Sequence, residues 1–403
     1  MPDFYPPRLN PVFARLCQSL APLVADVEYR LRLQVDTADL DRLAALHDHR
    51  LLLLPNHPSH HDWLAVFLLS ARLGDLFHYL AAYEQFTHPT GWLLQAIGAY
   101  SVKRGMGDRA SIAFTLDLLT QERCRLVVFP EGGYSFQNDT VMPFRPGPVQ
   151  LAFQAINRLV KQGAPPPDFY AVPLSLKYRY RGNMQPAIHD TLLRLERALG
   201  IQGQGDCYQR LLAVADCVLD QFEQSYGVPV QAVVESAGQT SERSPSPDRN
   251  ERIQTIKRHV LQTCEQQLGL TPAPQDPLRE RVYRIQNAVN ARADSQTEVV
   301  ETSELWSNDA IQTAAARLLN FDAIYDGYVA ANPTPERFLD TLTRLERSVF
   351  SIDQPPPKGD RRVIIRVGDP LNLKDFFTAY TQNRQKTLKQ VTETLRDRVQ
   401  ANV

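Results

Sequence analysis

Cysteine is scarce: five in 403 residues, Cys17, Cys124, Cys207, Cys217 and Cys264, with no CxxC pair among them. So sparse and odd a set is neither a disulfide framework nor a zinc-finger spacing, and a reducing compartment is the simplest expectation. Basic charge is not in excess, because 44 Lys and Arg face 45 Asp and Glu. A dedicated nucleic-acid binder usually carries a clear basic surplus, so that class is set aside. No uninterrupted apolar stretch has the length to cross a bilayer. The richest, LAVFLLSARL at 64–73, suits a buried helix. The opening MPDFYPPRLNP has no basic region followed by an apolar export segment. The expectation is a cytoplasmic chain, free or peripheral on the inner face of a membrane. What is present, 43% hydrophobic and 22% charged residues, is the composition of a folded globular protein.

The first half alternates strand and helix patterns. YRLRLQV at 29–35 alternates polar and apolar residues, and RLLLLPN at 50–56 reads as an inner strand ending at a turn. A helix is predicted from Asp62, a strand over 75–82, and a helical stretch over 108–121. CRLVVFP at 124–130 is the strongest strand signal, followed by an amphipathic helix over 148–162 and a strand over 169–178. Pro173 in that last strand suits an edge or a bulge better than the middle of a ladder. Strands separated by helices imply an α/β fold, a central mixed sheet flanked by helices, with ligands where loops leave the strand ends.

Residues 184–354 read differently. Helical patterns dominate 190–224, 250–268, 277–291, 308–320 and 335–349, with an exposed Pro/Ser-rich linker at 236–250. The β-branched run RRVIIRVGDPLNL at 361–373 and a helix carrying Leu388, Val391, Leu395 and Val399 on one face then follow. A lone strand has nothing to pair with inside a helical region, so it is expected to return to the N-terminal sheet. The division is therefore a core over 1–183, a helical insertion over 184–354, and a closing strand and helix over 355–403. Near the start, residues 11–27 place Val12, Phe13, Leu16, Leu20 and Leu23 roughly on one face. That face would pack on the domain or lie at a membrane interface, and packing is favoured.

NHPSHHD sets His57 just past a strand and Asp62 at a helix start. In a regular helix five positions would not align the two, but a tight turn folds the carboxylate back onto the imidazole. The histidine would then take a proton from a substrate alcohol, and the aspartate would hold its other nitrogen. On these two residues alone a plainer reading stands beside this one, in which Asp62 caps the helix and His57 is a loop residue. The cluster His57, His60, His61 and Asp62 matches neither HExxH nor a zinc-finger spacing, so no metal is expected. His60 and His61 read as turn or pocket-rim residues. VVFPEGGYSF adds Glu131, which would bind acceptor hydroxyls, hold a neighbouring basic group or stand as a surface carboxylate, and a glycine pair, Gly132 and Gly133. The glycine amides would face a ligand oxygen. Lys103, Arg104 and Arg145 are candidate anion ligands, since a few such groups around one pocket hold a phosphorylated head group.

Taken together, these residues resemble the glycerolipid acyltransferase family of lysophosphatidic-acid and glycerol-phosphate acyltransferases. The His-x4-Asp block is His57 and Asp62; the second block ends at Arg104; the Phe-Pro-Glu-Gly block is Phe129, Pro130, Glu131 and Gly132; a later Val-Pro is Val172-Pro173. The resemblance covers about 29–180, with 361–402 similar to the strand and helix that close the domain. It implies a histidine base with its aspartate, and Arg104, Glu131 and Gly132 on the acceptor. It also implies acyl-CoA or acyl carrier protein as co-substrate with no other cofactor, and a lipid acceptor such as 1-acylglycerol-3-phosphate met at a membrane surface. Two departures bear on the acceptor. The third block commonly continues Thr-Arg-Ser, where this chain has Gly133, Tyr134 and Ser135, and Ala82 stands where a lysine is often found. Thioester or ester hydrolysis by the same pair, and noncatalytic lipid binding, are the alternative functions. The helical 184–354 segment would serve as a lid, as a platform for an acyl chain or carrier protein, or as packing alone.

Overall fold

The computed structural model describes residues 2–228, 248–294, 306–321 and 325–403. They divide into two compact units, Met1–Gly182 with Pro357–Val403, and Asn183–Pro356.

In the first unit, α1 (Pro11–Val27) leads into β1 (Leu31–Val35), α2 (Thr37–Ala44), β2 (Arg50–Pro55) and α3 (Asp62–Leu73). The chain continues through β3 (His78–Ala82), α4 (Gly91–Ala96), β4 (Ala99–Val102), α5 (Arg109–Thr120), β5 (Arg125–Val127), α6 (Gly147–Lys161) and β6 (Phe169–Tyr180). The second unit holds α7 (Gln185–Leu199), α8 (Cys207–Ser225), α9 (Arg249–Leu268), α10 (Leu278–Asp294), α11 (Asn308–Asn320), α12 (Tyr328–Ala331) and α13 (Pro335–Phe350). The first unit then closes with β7 (Arg361–Val367), β8 (Leu371–Asn372), α14 (Lys374–Gln382) and α15 (Arg384–Ala401).

One sheet runs β1-β7-β6-β2-β5-β3-β4, with β8 paired to β6. β6, β2, β5, β3 and β4 are mutually parallel, and β7 runs antiparallel to β6 while parallel to β1. The fold is a mixed, mostly parallel sheet flanked by helices, with a helical insertion ahead of the closing strand and helix. Alternate residues of β2 supply both faces, as period-two geometry requires. Leu51 and Leu53 pack with α1 and α3, while Leu52 and Leu54 pack with α5, α6, α14 and α15. β7 enters between β1 and β6, so the lone strand does return to the sheet.

Several sequence expectations change in detail. The strongest strand signal gives only the three-residue β5: Val128 makes one more ladder bond, to Leu53, before the chain turns at Pro130. Pro173 lies inside β6, a central strand, where its register partner on β2 is Leu54. It is tolerated because the neighbour on its other side changes there: β7 ends opposite Leu174 and β8 begins opposite Ala171. The Pro173 carbonyl faces that break and accepts from Gly368, so the missing N–H leaves no ladder bond unmade. The helical pattern over 190–224 is two helices, broken where Gly200 takes a left-handed conformation (φ 68°) as the C-cap of α7. Most of the expected linker, 236–247, lies outside the described residues, and α9 already starts at Arg249.

α1 reverses its expected orientation. Its buried face is Ala14, Gln18, Ala21 and Ala25, and the larger apolar residues point outward, with Val12 81% and Leu23 63% exposed. Small residues let α1 approach α3 closely, and Gln18 Nε2 donates to Ser70 Oγ on α3 at 2.9 Å. Among the described residues no helix is long and apolar enough to cross a membrane.

Candidate active site

The parallel strands β2, β5 and β4 end on one edge of the sheet, followed there by His57, Glu131 and Lys103-Arg104 respectively. β7, being antiparallel to β6, begins on that same edge with Arg361 opposite Tyr180. Residues far apart in sequence are thereby gathered where loops leave the strands.

His57 Nδ1 lies 2.7 Å from Asp62 Oδ2. The intervening turn makes this possible: the backbone N–H of Ser59 donates to the same Oδ2 at 2.8 Å, pulling the carboxylate back over the loop. Asp62 is the first residue of α3, and its side chain bonds backward rather than capping the helix. The phenol of Tyr178 donates to Oδ1 at 2.6 Å. Burial raises the Asp62 carboxyl above the usual carboxylate range, while the bonds from His57, Tyr178 and Ser59 favour the ionised form. With three donors converging on it, the carboxylate acts as acceptor and His57 carries its proton on Nδ1. In that tautomer Nε2 is the nitrogen that carries the lone pair. The His57 side chain keeps 13% exposure while Asp62 has none, so only the imidazole meets solvent.

The Phe-Pro-Glu-Gly loop packs directly on this pair. Phe129 stacks on the His57 ring at 4.2 Å, and Tyr134 meets it edge-on at 4.5 Å. Glu131 is buried, not a surface carboxylate, and its Oε1 accepts the backbone N–H of His57 at 3.0 Å. The Ser135 N–H donates to the His57 carbonyl at 2.8 Å, so the two loops are laced together on both sides of the histidine. Gly132 has φ 73°, and a Cβ there would come within 2.5 Å of the Arg145 guanidinium. Only glycine combines that conformation with so close an approach. Its amide, expected to face a ligand, donates to the Phe129 carbonyl.

His60 and His61 are buried rather than on a rim, their rings 3.9 Å apart. Burial, reinforced by His60 and Arg361, pushes His61 down to about 2, so it is neutral. Its Nδ1 accepts from Arg361 Nη2 at 3.1 Å. Arg104 and Lys103 follow the edge strand β4, three strands from β2, about 14 Å away at ordinary strand spacing. Arg104 pairs with Glu84 at 3.4 Å and Lys103 with Asp3 at 3.0 Å. His57, Asp62, Glu131, Gly132 and Arg145 therefore form one cluster, with Arg104 and Lys103 on its flank. Tyr178 and Arg361 escaped sequence reasoning, and alternation in the strand 169–178 was the one available hint. It marks Leu174, Leu176 and Tyr178 as sharing a face, all three in the α3-side core.

Among the described residues no three His, Cys, Asp or Glu side chains are grouped as a metal would need. A buried carboxylate against a mostly buried imidazole, 13% exposed, at the strand ends of an α/β fold is an arrangement that general-base chemistry on an alcohol or water can use. Residues 34–177 match the family model described as Acyltransferase, a broad glycerolipid-acyltransferase-like family rather than one of its members. The match contains every residue of the cluster from His57 to Arg145 and is consistent with transfer of an acyl group to an acceptor. No curated protein matches the chain.

Proposed function

We propose that the protein transfers a fatty-acyl group from an acyl thioester, carried by CoA or acyl carrier protein, to a hydroxyl of a glycerolipid-like acceptor. The single observation that supports this most is the His57–Asp62 contact at 2.7 Å beside the buried Glu131 turn. His57 Nε2 takes the acceptor's hydroxyl proton as the oxygen attacks the thioester carbonyl. The tetrahedral intermediate collapses, the carbon–sulfur bond breaks, and the thiolate leaves with the proton returned by the imidazolium. Asp62 stabilises that imidazolium throughout.

The acceptor side of this reading is the Glu131–Gly132 turn with Arg145, and Arg104 and Lys103 form an outer anion site for a phosphate. Tyr134 stands where the resembling family commonly carries an arginine, and its ring packs against the base. That favours an uncharged or apolar acceptor segment next to His57, with a phosphate held at Arg145 or further out. A bilayer surface meets the chain, in this reading, along the outward face of α1. Val12, Leu16, Leu20, Leu23 and Val27 form one uncharged stripe there. Indoles flank both ends, Trp92 against Phe13 and Trp63 against Tyr29, an arrangement suited to the headgroup region.

The test is a donor–acceptor panel read by lipid mass spectrometry: acyl-CoA and acyl carrier protein donors against 1-acylglycerol-3-phosphate, dephosphorylated acylglycerols and other alcohols. Acylated acceptor supports transfer. Free fatty acid as the sole product, whatever acceptor is added, would replace the proposal with thioester hydrolysis.

A further inference from the structure

β6 overshoots its neighbour. Its pairing with β2 stops at Pro55 opposite Leu174, yet the strand continues to Tyr180. Along that overhang, two asparagine side chains take the place of a missing strand. Asn56 accepts from the Leu176 N–H at 2.7 Å and donates to the Leu176 carbonyl at 3.0 Å. Asn138 repeats the arrangement two residues on, with both bonds to Tyr178 at 2.6 Å. The backbone of Tyr178 is thus pinned over the strand–helix turn, and its phenol reaches Asp62 Oδ1 at 2.6 Å. On the far side the Arg361 guanidinium lies over the Tyr178 ring, 5.5 Å from its centre.

We infer that Tyr178 is a third member of the base assembly: a positioning residue whose phenol holds the Asp62 carboxylate, and through it the reactive tautomer of His57. This rests on the acyl-transfer reading for its kinetic consequences and on geometry alone for the hydrogen bond. Tyr178 lies one residue beyond the stretch that matches the family model. A fully buried carboxylate needs donors for both oxygens. Oδ2 has the Ser59 amide and the imidazole, and Tyr178 supplies Oδ1. The groups facing the assembly are His57, the Ser59 amide and Tyr178 around Asp62, Glu131 on the His57 backbone N–H, Tyr134 against the His57 ring, Arg361 against Tyr178, and His61 bonded to Arg361. Without the phenol more charge stays on the remaining carboxylate contacts, and a proton on Asp62 or on His57 beside it is held more tightly.

The experiment is Tyr178→Phe, which keeps the ring and removes only the hydroxyl. Expected are unchanged circular dichroism, unchanged KM for the thioester, and kcat lower by about tenfold to a hundredfold, as for loss of a hydrogen bond to a charged group. The acidic limb of kcat/KM should move to higher pH by about one unit. In an Asp62→Asn background the same change should cost nothing further, because the carboxylate it serves is gone. A Tyr178→Phe enzyme with wild-type kcat and pH profile, or an equal penalty in both backgrounds, overturns the inference. A second readout needs no acceptor: titration of His57 in histidine-labelled protein by NMR, assigned by loss of its signal in His57→Ala. An upward move of that titration in Tyr178→Phe supports the positioning role even if no lipid in the panel is acylated, in which case only the transfer reading fails. An unmoved titration overturns the role whatever the panel shows.

Discussion

In the helical unit, two buried carboxylates are matched with arginines through paired bonds. Arg210 makes two bonds of 2.7 Å to Glu196, and Arg281 makes two of 2.8 Å to Glu265. In the α/β unit the deepest carboxylate, Asp62, is bonded to no guanidinium or ammonium among the described residues. Its partners are an imidazole, a phenol and an amide. Arg361 on the same sheet edge binds a neutral histidine and the Tyr29 carbonyl. The difference has chemical consequences. A bidentate arginine neutralises a carboxylate permanently and fixes helix against helix. Neutral donors leave the charge of Asp62 available to whichever neighbour acquires a proton, which in the proposed reaction is His57. These helical-unit pairs hold shape, whereas in the acyl-transfer reading Asp62 keeps its charge for proton transfer.

The sharpest way to break this contrast is at its reactive end. His57→Ala should lower acyl transfer on the order of a thousandfold or more, with thermal unfolding little changed. Turnover per folded molecule checks it, and wild-type rates would move the base elsewhere. Next in size is the structural end: Arg210→Ala strands Glu196 in the interior and should cost about 3–5 kcal/mol in urea unfolding. The kcat of the molecules that remain folded should be unchanged, and a large fall would give the helical unit a share in the chemistry.

A smaller effect tests one histidine of the loop, His61, by pH. His61 is held near 2, below the ordinary imidazole value of 6.5. A group depressed in the folded state binds fewer protons folded than unfolded. Its stabilising share is whole above the unfolded value and lost as the pH falls through 6.5 toward the folded one. By pH 5 the loss is about 2 kcal/mol. His61→Asn, which keeps an acceptor for Arg361, should flatten the acid side of a stability profile by that amount. An unaltered profile would mean that His61 is not the group responsible. Smallest for stability is the α1 stripe: Leu16→Ser with Leu20→Ser and Leu23→Ser should move unfolding by under about 1 kcal/mol, since these side chains are already exposed. Sedimentation with anionic phospholipid vesicles should nevertheless show weaker binding. Undiminished binding would leave that stripe without a membrane role.

Much of this architecture was legible from short stretches. The apolar run of β2, the turn after it, and α3 are each written within a few neighbouring residues, so contact between His57 and Asp62 is legible as one of two readings, the other being a helix cap beside a loop histidine. Orientation was harder to read. In α1 the stripe Ala14, Gln18, Ala21, Ala25 has the same helical period as the leucines, and periodicity cannot say which faces inward. The tight seam against α3 selected the small side chains. Pro173 was likewise read against a single ladder, when the strand beside it changes at that residue.

The sequence by itself determined the alternation of strands and helices, the return of the last strand, and the five-residue spacing that carries imidazole and carboxylate. Those depend on local geometry, which a chain encodes in consecutive residues. Only the tertiary structure decided what surrounds the pair. Tyr178 stands 116 positions from Asp62, and Arg361 stands 300 from His61. They meet because β7 runs antiparallel to β6 and begins at the edge where β2 ends. No local pattern records that meeting, since it exists only once the sheet has closed.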